Sequence, residues 1–183
     1  MQPKAKTMQE RMGFSDPDLS SPKHDEMVIW LLKNKVDVCR FLLPKIRHQF
    51  DGSISKEEMR LYMSPLEGQH DQSPSAKAEV TVMNGTFTVG FIDVLIEQRG
   101  MWTEKQNGLM TTQWSSLANS VAIEVKPTIP SFGETLRQIR QYQQYCHYSK
   151  YAIFSPDHRF KEVFEEQGIT VFSTSTLKTA LGL

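Results

Sequence analysis

Apolar positions along this chain repeat with two periods, and the places where the period changes mark the elements. Residues 1 to about 20 follow neither period and predict a flexible arm ahead of a single domain over 21–183. Ser21-Pro22 is a helix start, with serine as cap and proline at the first helical position. Met27, Val28, Trp30 and Leu31 then make an apolar stripe, and a second helical stretch runs from about Val36 to Gln49. Ser64 to Lys77 is a polar loop. The period then drops to two: Ala78–Met83 and Thr86–Ile96 flank Asn84-Gly85, a strong hairpin signal, and Gly90 is placed to mark a bulge. Residues 97–119 carry little apolar pattern and predict a long connection bearing Trp102 and Trp114. Val121–Lys126 reads as a central strand stopped by Pro127 and Pro130. Ser131 with Glu134 opens a helix to about Ser149. A strand at Tyr151–Phe154, a helix from Asp157 to Gln167 capped by Asp157, and a strand at Ile169–Phe172 follow. The layout predicts an α/β fold with a central mixed sheet flanked by helices, and a right-handed crossover between 121 and 154.

Charge interrupts two of the apolar strands. Alternate strand residues share a face, so Glu124 and Lys126 face one way and Val121, Ile123 and Val125 the other. Asp93 lies on the face of its strand that also carries Phe87, Val89, Phe91 and Leu95. Charges on a core strand are costly unless they act together. Two carboxylates and a lysine so placed can hold a divalent metal and orient an attacking water, the chemistry of phosphodiester hydrolysis.

Asp on one strand, Glu-x-Lys on the next (Glu124, Lys126) and Gln-x-x-x-Tyr on the following helix (Gln138, Tyr142) resemble the PD-(D/E)xK nuclease superfamily, and within it the branch of RecB-type domains and lambda exonuclease. The likeness spans roughly residues 20–173, with Ile92 where the family name has proline. It implies a restriction-endonuclease-like sandwich and a nuclease cutting DNA with Mg²⁺ or Mn²⁺. Asp93, Glu124 and the Val125 carbonyl would hold the metal, with Glu26 of the first helix joining through a water. Lys126 would act on the nucleophilic water, Gln138 would buttress the site, and Tyr142 would touch the DNA backbone. Arg137 and Arg140, with Lys105 and Arg99, could supply a basic patch. A nuclease-like module that binds DNA or another partner without cutting is the alternative.

Each piece also has a plainer reading. Glu124 and Lys126 can be an edge-strand ion pair, and Glu26 with Asp25 can simply suit the positive end of a helix dipole. His24, beside that acidic pair, is either a surface residue or a contact to metal or substrate. Gln141 and Tyr145 repeat the Gln-x-x-x-Tyr spacing and leave the register open.

With 21 basic and 21 acidic residues, the chain has no bulk electrostatic grip on nucleic acid, so any such grip must be a local patch. Cys39 and Cys146 lack metal-ligand spacing and exclude a four-cysteine iron–sulfur cluster; a reduced, cytoplasmic protein is expected. The polar N-terminus has no secretory pattern, and no apolar run is long enough for a membrane. Phe50 to Glu58 imitates the second half of an EF-hand loop. Arg47 falls where that loop needs its first carboxylate, so Ser55 and Glu58 read as a helix cap instead. DNA against RNA, end-dependent against internal cutting, and oligomeric state are left open.

Overall fold

Three layers build up around a five-stranded sheet. The computed structural model describes residues 21–43, 74–106 and 109–182, with side chains placed for all of these except 99–118. The expected arm, the 64–73 part of the polar loop, the end of the second helical stretch and the EF-hand look-alike lie outside the described residues. Helix α1 (Pro22–Lys33) starts as the sequence predicts: the Ser21 side chain accepts from the His24 N–H and Pro22 leads the first turn. Helix α2 (Lys35–Leu42) follows directly.

Strands β1 (Ser75–Asn84), β2 (Phe87–Gln106) and β3 (Leu109–Val125) pair antiparallel in order; β4 (Lys150–Phe154) and β5 (Thr170–Phe172) extend the sheet in parallel. Helix α3 (Phe132–Tyr145), capped by the Ser131 hydroxyl on the Glu134 N–H, makes the crossover from β3 to β4. Helix α4 (Lys161–Glu166) precedes β5, and α5 (Thr174–Leu181) closes the described chain.

Strand alternation sorts the core into two sides. Val121, Ile123 and Val125 of β3 pack with Ala152 and Phe154 of β4 against Leu31 of α1 and Val38, Cys39 and Leu42 of α2. Ala122, Ile153 and Val171 face the other way, onto Ile139 and Tyr142 of α3 and Phe164 of α4. At about 25 cal/mol per Å² of apolar surface removed from water, these two seams are the main drive to fold. No helix among the described residues is long and apolar enough to cross a membrane.

Two expectations need correction, and one helix is additional to them. Residues 97–119 are not an irregular connection: β2 and β3 run on through them as an antiparallel ribbon, paired from Gln98↔Asn119 to Gln106↔Leu109. Its polar, threonine- and glutamine-rich sequence lacks the half-buried alternation by which strands are recognised; among the described residues no third strand pairs with this stretch, since β1 begins opposite Glu97 and β4 opposite Val121. The helix expected from Asp157 begins four residues later, at Lys161, because Asp157 is occupied elsewhere. Helix α5 went unforeseen, since Ser173-Thr174-Ser175-Thr176 has weak helix propensity; Ser173 caps it through the Thr176 N–H.

Candidate active site

Asp93 sits where two strands separate. The β2–β3 ladder ends at the Val94↔Ile123 pair, and a gap opens between the two strands beyond it. The Asp93 side chain fills it: Oδ2 accepts the Val125 N–H at 2.7 Å. On the other flank the β1–β2 pairing skips from Ala78↔Val94 to Val80↔Ile92, and Glu79, opposite Asp93, has a positive φ of 51°. Val94 and Ile96 belong to the α1–α2 core, whereas Ile92 belongs to the α3 core. Asp93 therefore lies at the position where β2 changes side, within reach of both layers.

From the α1 side comes His24, whose Nε2 stands 3.4 Å from Asp93 Oδ1 and whose Nδ1 is 3.6 Å from Asp25. Burial lowers the affinity of this imidazole for its proton. The Asp93 carboxylate, then Asp25, outweigh that effect, and the net direction is upward. Glu26, two residues further on, is exposed. Residues two apart on a helix point about 200° apart, so the turn that presents His24 to Asp93 carries Glu26 away from it.

Glu124 lies on the α3 face. Its Oε1 accepts from Gln138 Nε2 at 2.7 Å and is 3.2 Å from Lys126 Nζ. Gln138 Nε2 also donates to the Tyr142 hydroxyl at 2.9 Å, and that hydroxyl donates to the Phe91 carbonyl at 2.8 Å. A primary amide has two N–H bonds, so both donations can be made at once. A relay results: Phe91 backbone, Tyr142, Gln138, Glu124, Lys126. Burial foremost, and the Glu124 charge next, raise the Tyr142 phenol well above its ordinary range, so it remains a donor. Space for the ring comes from Gly90: a Cβ there would stand 2.8 Å from Tyr142 Cε1. The bulge expected at Gly90 falls one residue earlier, where Val82↔Gly90 gives way to Met83↔Thr88 and Val89 is left over.

Asp93, Glu124, Lys126, Gln138, Tyr142 and the Val125 backbone are thus brought together. The Gln138/Tyr142 register is the one that points inward; Gln141 is exposed, and Tyr145, 38 % exposed, reaches Asn84 at the far hairpin. Tyr142 is buried with its hydroxyl engaged on both sides, a brace between β2 and α3 where the sequence suggested a contact to DNA. Arg137 is exposed beside Gln138. Arg140 is turned away and binds Gln143 Oε1 and the Gln167 carbonyl and side chain. The side chains of Arg99 and Lys105 fall outside the described set.

Among the described residues, no three His, Cys, Asp or Glu side chains close into a metal-binding group by themselves. Mg²⁺ rarely asks for one. It keeps several waters and takes one or two carboxylates, with substrate phosphate completing its shell. Asp93 and Glu124, hard oxygen donors on adjacent strands and both nearly dry, suit that demand, and His24 Nε2 faces the Asp93 carboxylate.

Sequence reasoning named the ordered carboxylates, the lysine and the helix pair. It leaves His24 open between a surface residue and a contact, and does not reach Gly90's service to Tyr142. It read Asp157 as a helix cap, although an Asp-x-Arg in the loop after a parallel strand was the available signal. No family model, curated protein or solved structure matches the chain.

Proposed function

We propose that this chain is a metal-dependent deoxyribonuclease of the PD-(D/E)xK type on a restriction-endonuclease-like sandwich, hydrolysing phosphodiester bonds with Mg²⁺ or Mn²⁺. One observation carries the reading: Asp93, Glu124 and Lys126 converge where β2 and β3 part, with an Asp93-to-Val125 bond and a Glu124-to-Gln138 bond fixing both carboxylates.

A divalent cation, when bound at this corner, would supply positive charge to the scissile phosphate and lower the pKa of a bound water. Asp93, Glu124 and the Val125 carbonyl would hold it. His24, facing Asp93, takes the helix α1 role that the sequence suggested for Glu26. The Lys126 ammonium, held against Glu124, orients the attacking water and stabilises charge developing on the phosphoryl oxygens. Gln138, donating to the same Glu124 oxygen that faces Lys126, fixes that carboxylate in place, and Tyr142 keeps Gln138 in position. Arg137, exposed on α3, is the helix residue available to a DNA phosphate.

A non-cutting module on the same scaffold is the second reading, and one fact favours it: Asp93, Glu124 and Lys126 are only 2–4 % exposed, so a phosphate must gain access to them. Incubating the protein with linear, circular, single-stranded and branched DNA, in Mg²⁺, Mn²⁺ or EDTA, separates the two. Cleavage that needs metal and disappears in Lys126→Ala supports the enzyme. Binding without cleavage supports the module, and cleavage surviving EDTA or the substitution overturns the mechanism.

A further inference from the structure

The five residues between Lys126 and α3 include Pro127 and Pro130, which have no N–H to give. Backbone pairing with β4 continues through one more bond, Lys126 N–H to the Phe154 carbonyl, and then stops. Beyond it, side chains take over. Asp157 Oδ2 accepts the Ile129 N–H at 3.0 Å, and Arg159 Nη2 donates to the Ile129 carbonyl at 2.9 Å. Both backbone groups of a single residue are thereby satisfied as a neighbouring strand would satisfy them. Asp157 in turn accepts from Arg159 Nε and Nη2 and from the Arg159 backbone N–H, so the two ends of the clamp lock each other. That guanidinium and two hydrogen bonds hold the Asp157 carboxyl well below its usual range. The Ile129 side chain is fully buried in the α3 core with Ile139 and Phe164.

We propose that Asp157 and Arg159 are positioning residues for the active site. By holding Ile129 through both its backbone groups, they fix the link between Lys126 at the end of β3 and Gln138 on α3. Neither touches the reacting atoms. The ion pair itself is half in solvent, with Arg159 61 % exposed, and surface pairs of that kind contribute little stability. Its value lies in geometry: the two side chains that meet at Glu124 are carried on opposite sides of this one loop, and an unpaired loop would let them drift apart. The catalytic consequence rests on the nuclease reading; the structural consequence does not.

The test uses the full chain carrying Asp157→Ala, Asp157→Asn or Arg159→Gln, well below the melting temperature of each. Hydrogen exchange at the Ile129 amide and the NMR signal of the Gln138 side-chain amide report the clamp. The kcat and KM on linear duplex DNA with Mg²⁺ report its effect on catalysis. Asp157→Ala is expected to speed exchange at Ile129, shift the Gln138 signal, and lower kcat by about tenfold to a hundredfold with KM unchanged. Asp157→Asn keeps an oxygen for the Ile129 N–H and should restore most of the loss. Arg159→Gln, which leaves Asp157 in place, should give a smaller change in the same direction and serves if Asp157→Ala does not fold. An unmoved Gln138 signal with unchanged kcat overturns the proposal. So does a raised KM at constant kcat, which would make Arg159 a DNA contact. A wild type that does not cut DNA defeats the nuclease reading alone, since exchange and the Gln138 signal still decide the clamp.

Discussion

Replacing Gly90 by alanine should damage the site from a distance, through Tyr142. The added Cβ would stand 2.8 Å from Tyr142 Cε1, 3.1 Å from its hydroxyl and 3.4 Å from Cζ. Carbon atoms prefer about 3.5–4.0 Å, so the ring or the strand must move. The ring is 5 % exposed, and its hydroxyl is held by Gln138 and by the Phe91 carbonyl, which leaves it little freedom. Overpacking of a filled core costs about 1–3 kcal/mol. If the ring swings far enough to lose its bond to Phe91, a further ~0.5–1.5 kcal/mol follows. A destabilisation of about 2–4 kcal/mol is expected from those two effects together. Urea denaturation of Gly90→Ala measures it, and the same substitution in a Tyr142→Leu background isolates the contact. With the ring gone, alanine should cost nothing, or even stabilise by about 0.5–1 kcal/mol, since glycine is the poorer strand residue. Because Tyr142 holds Gln138 on Glu124, cleavage should fall in the single variant even where it remains folded. An equal cost in both backgrounds would refute the reasoning, as would an undisturbed single variant.

Further expectations concern other parts of the molecule. Mg²⁺ should raise the melting temperature of the wild type, by about 2.7 kcal/mol of stability at a hundred times its dissociation constant, and should leave Asp93→Asn unmoved; equal shifts in both would remove Asp93 from the metal. Tyr142→Phe should cost about 0.5–1.5 kcal/mol and slow turnover while DNA affinity holds, whereas Tyr145→Phe should be nearly silent; a sensitive Tyr145 would move the functional pair by a turn. Burial pushes the Cys39 thiol up to about 11, and its Sγ is bonded to Gln98 Oε1, so a thiol reagent at pH 8 should label Cys146 first; prompt labelling of both would contradict the packing of α2. Asp157, depressed by Arg159, contributes stability above the ordinary carboxylate pKa of about 4 and loses it as pH falls through the folded value. The stability gap between wild type and Asp157→Asn should therefore be small, present near neutrality and closing in acid; a gap constant down to pH 2 would show that the charge adds nothing to the clamp.

How much of this was legible before folding depends on the range of each interaction. Periodicity and capping are local, so the sequence alone determined the α1 start at Ser21-Pro22, the hairpin at Asn84-Gly85, the two-faced strand Val121–Lys126 and the helix opened by Ser131. It also determined that Gln138 and Tyr142 share a helix face, as it did for Gln141 and Tyr145. Which of the two pairs turns inward depends on how α3 rolls against β2, a matter of packing between residues some 50 positions apart, and only the tertiary structure decided it. The same holds for His24 over Glu26, where one helix turn decides which side chain meets Asp93. The polar sequence hid the ribbon beyond Glu97, where no third strand among the described residues pairs with β2 or β3, though Asn107-Gly108 repeats in the sequence the dipeptide of the first hairpin. Asp157 looked like a cap because carboxylates cap helices. It became a clamp because two prolines leave the facing loop short of backbone donors, and that need is visible only when the loop after β3 and the loop after β4 lie side by side.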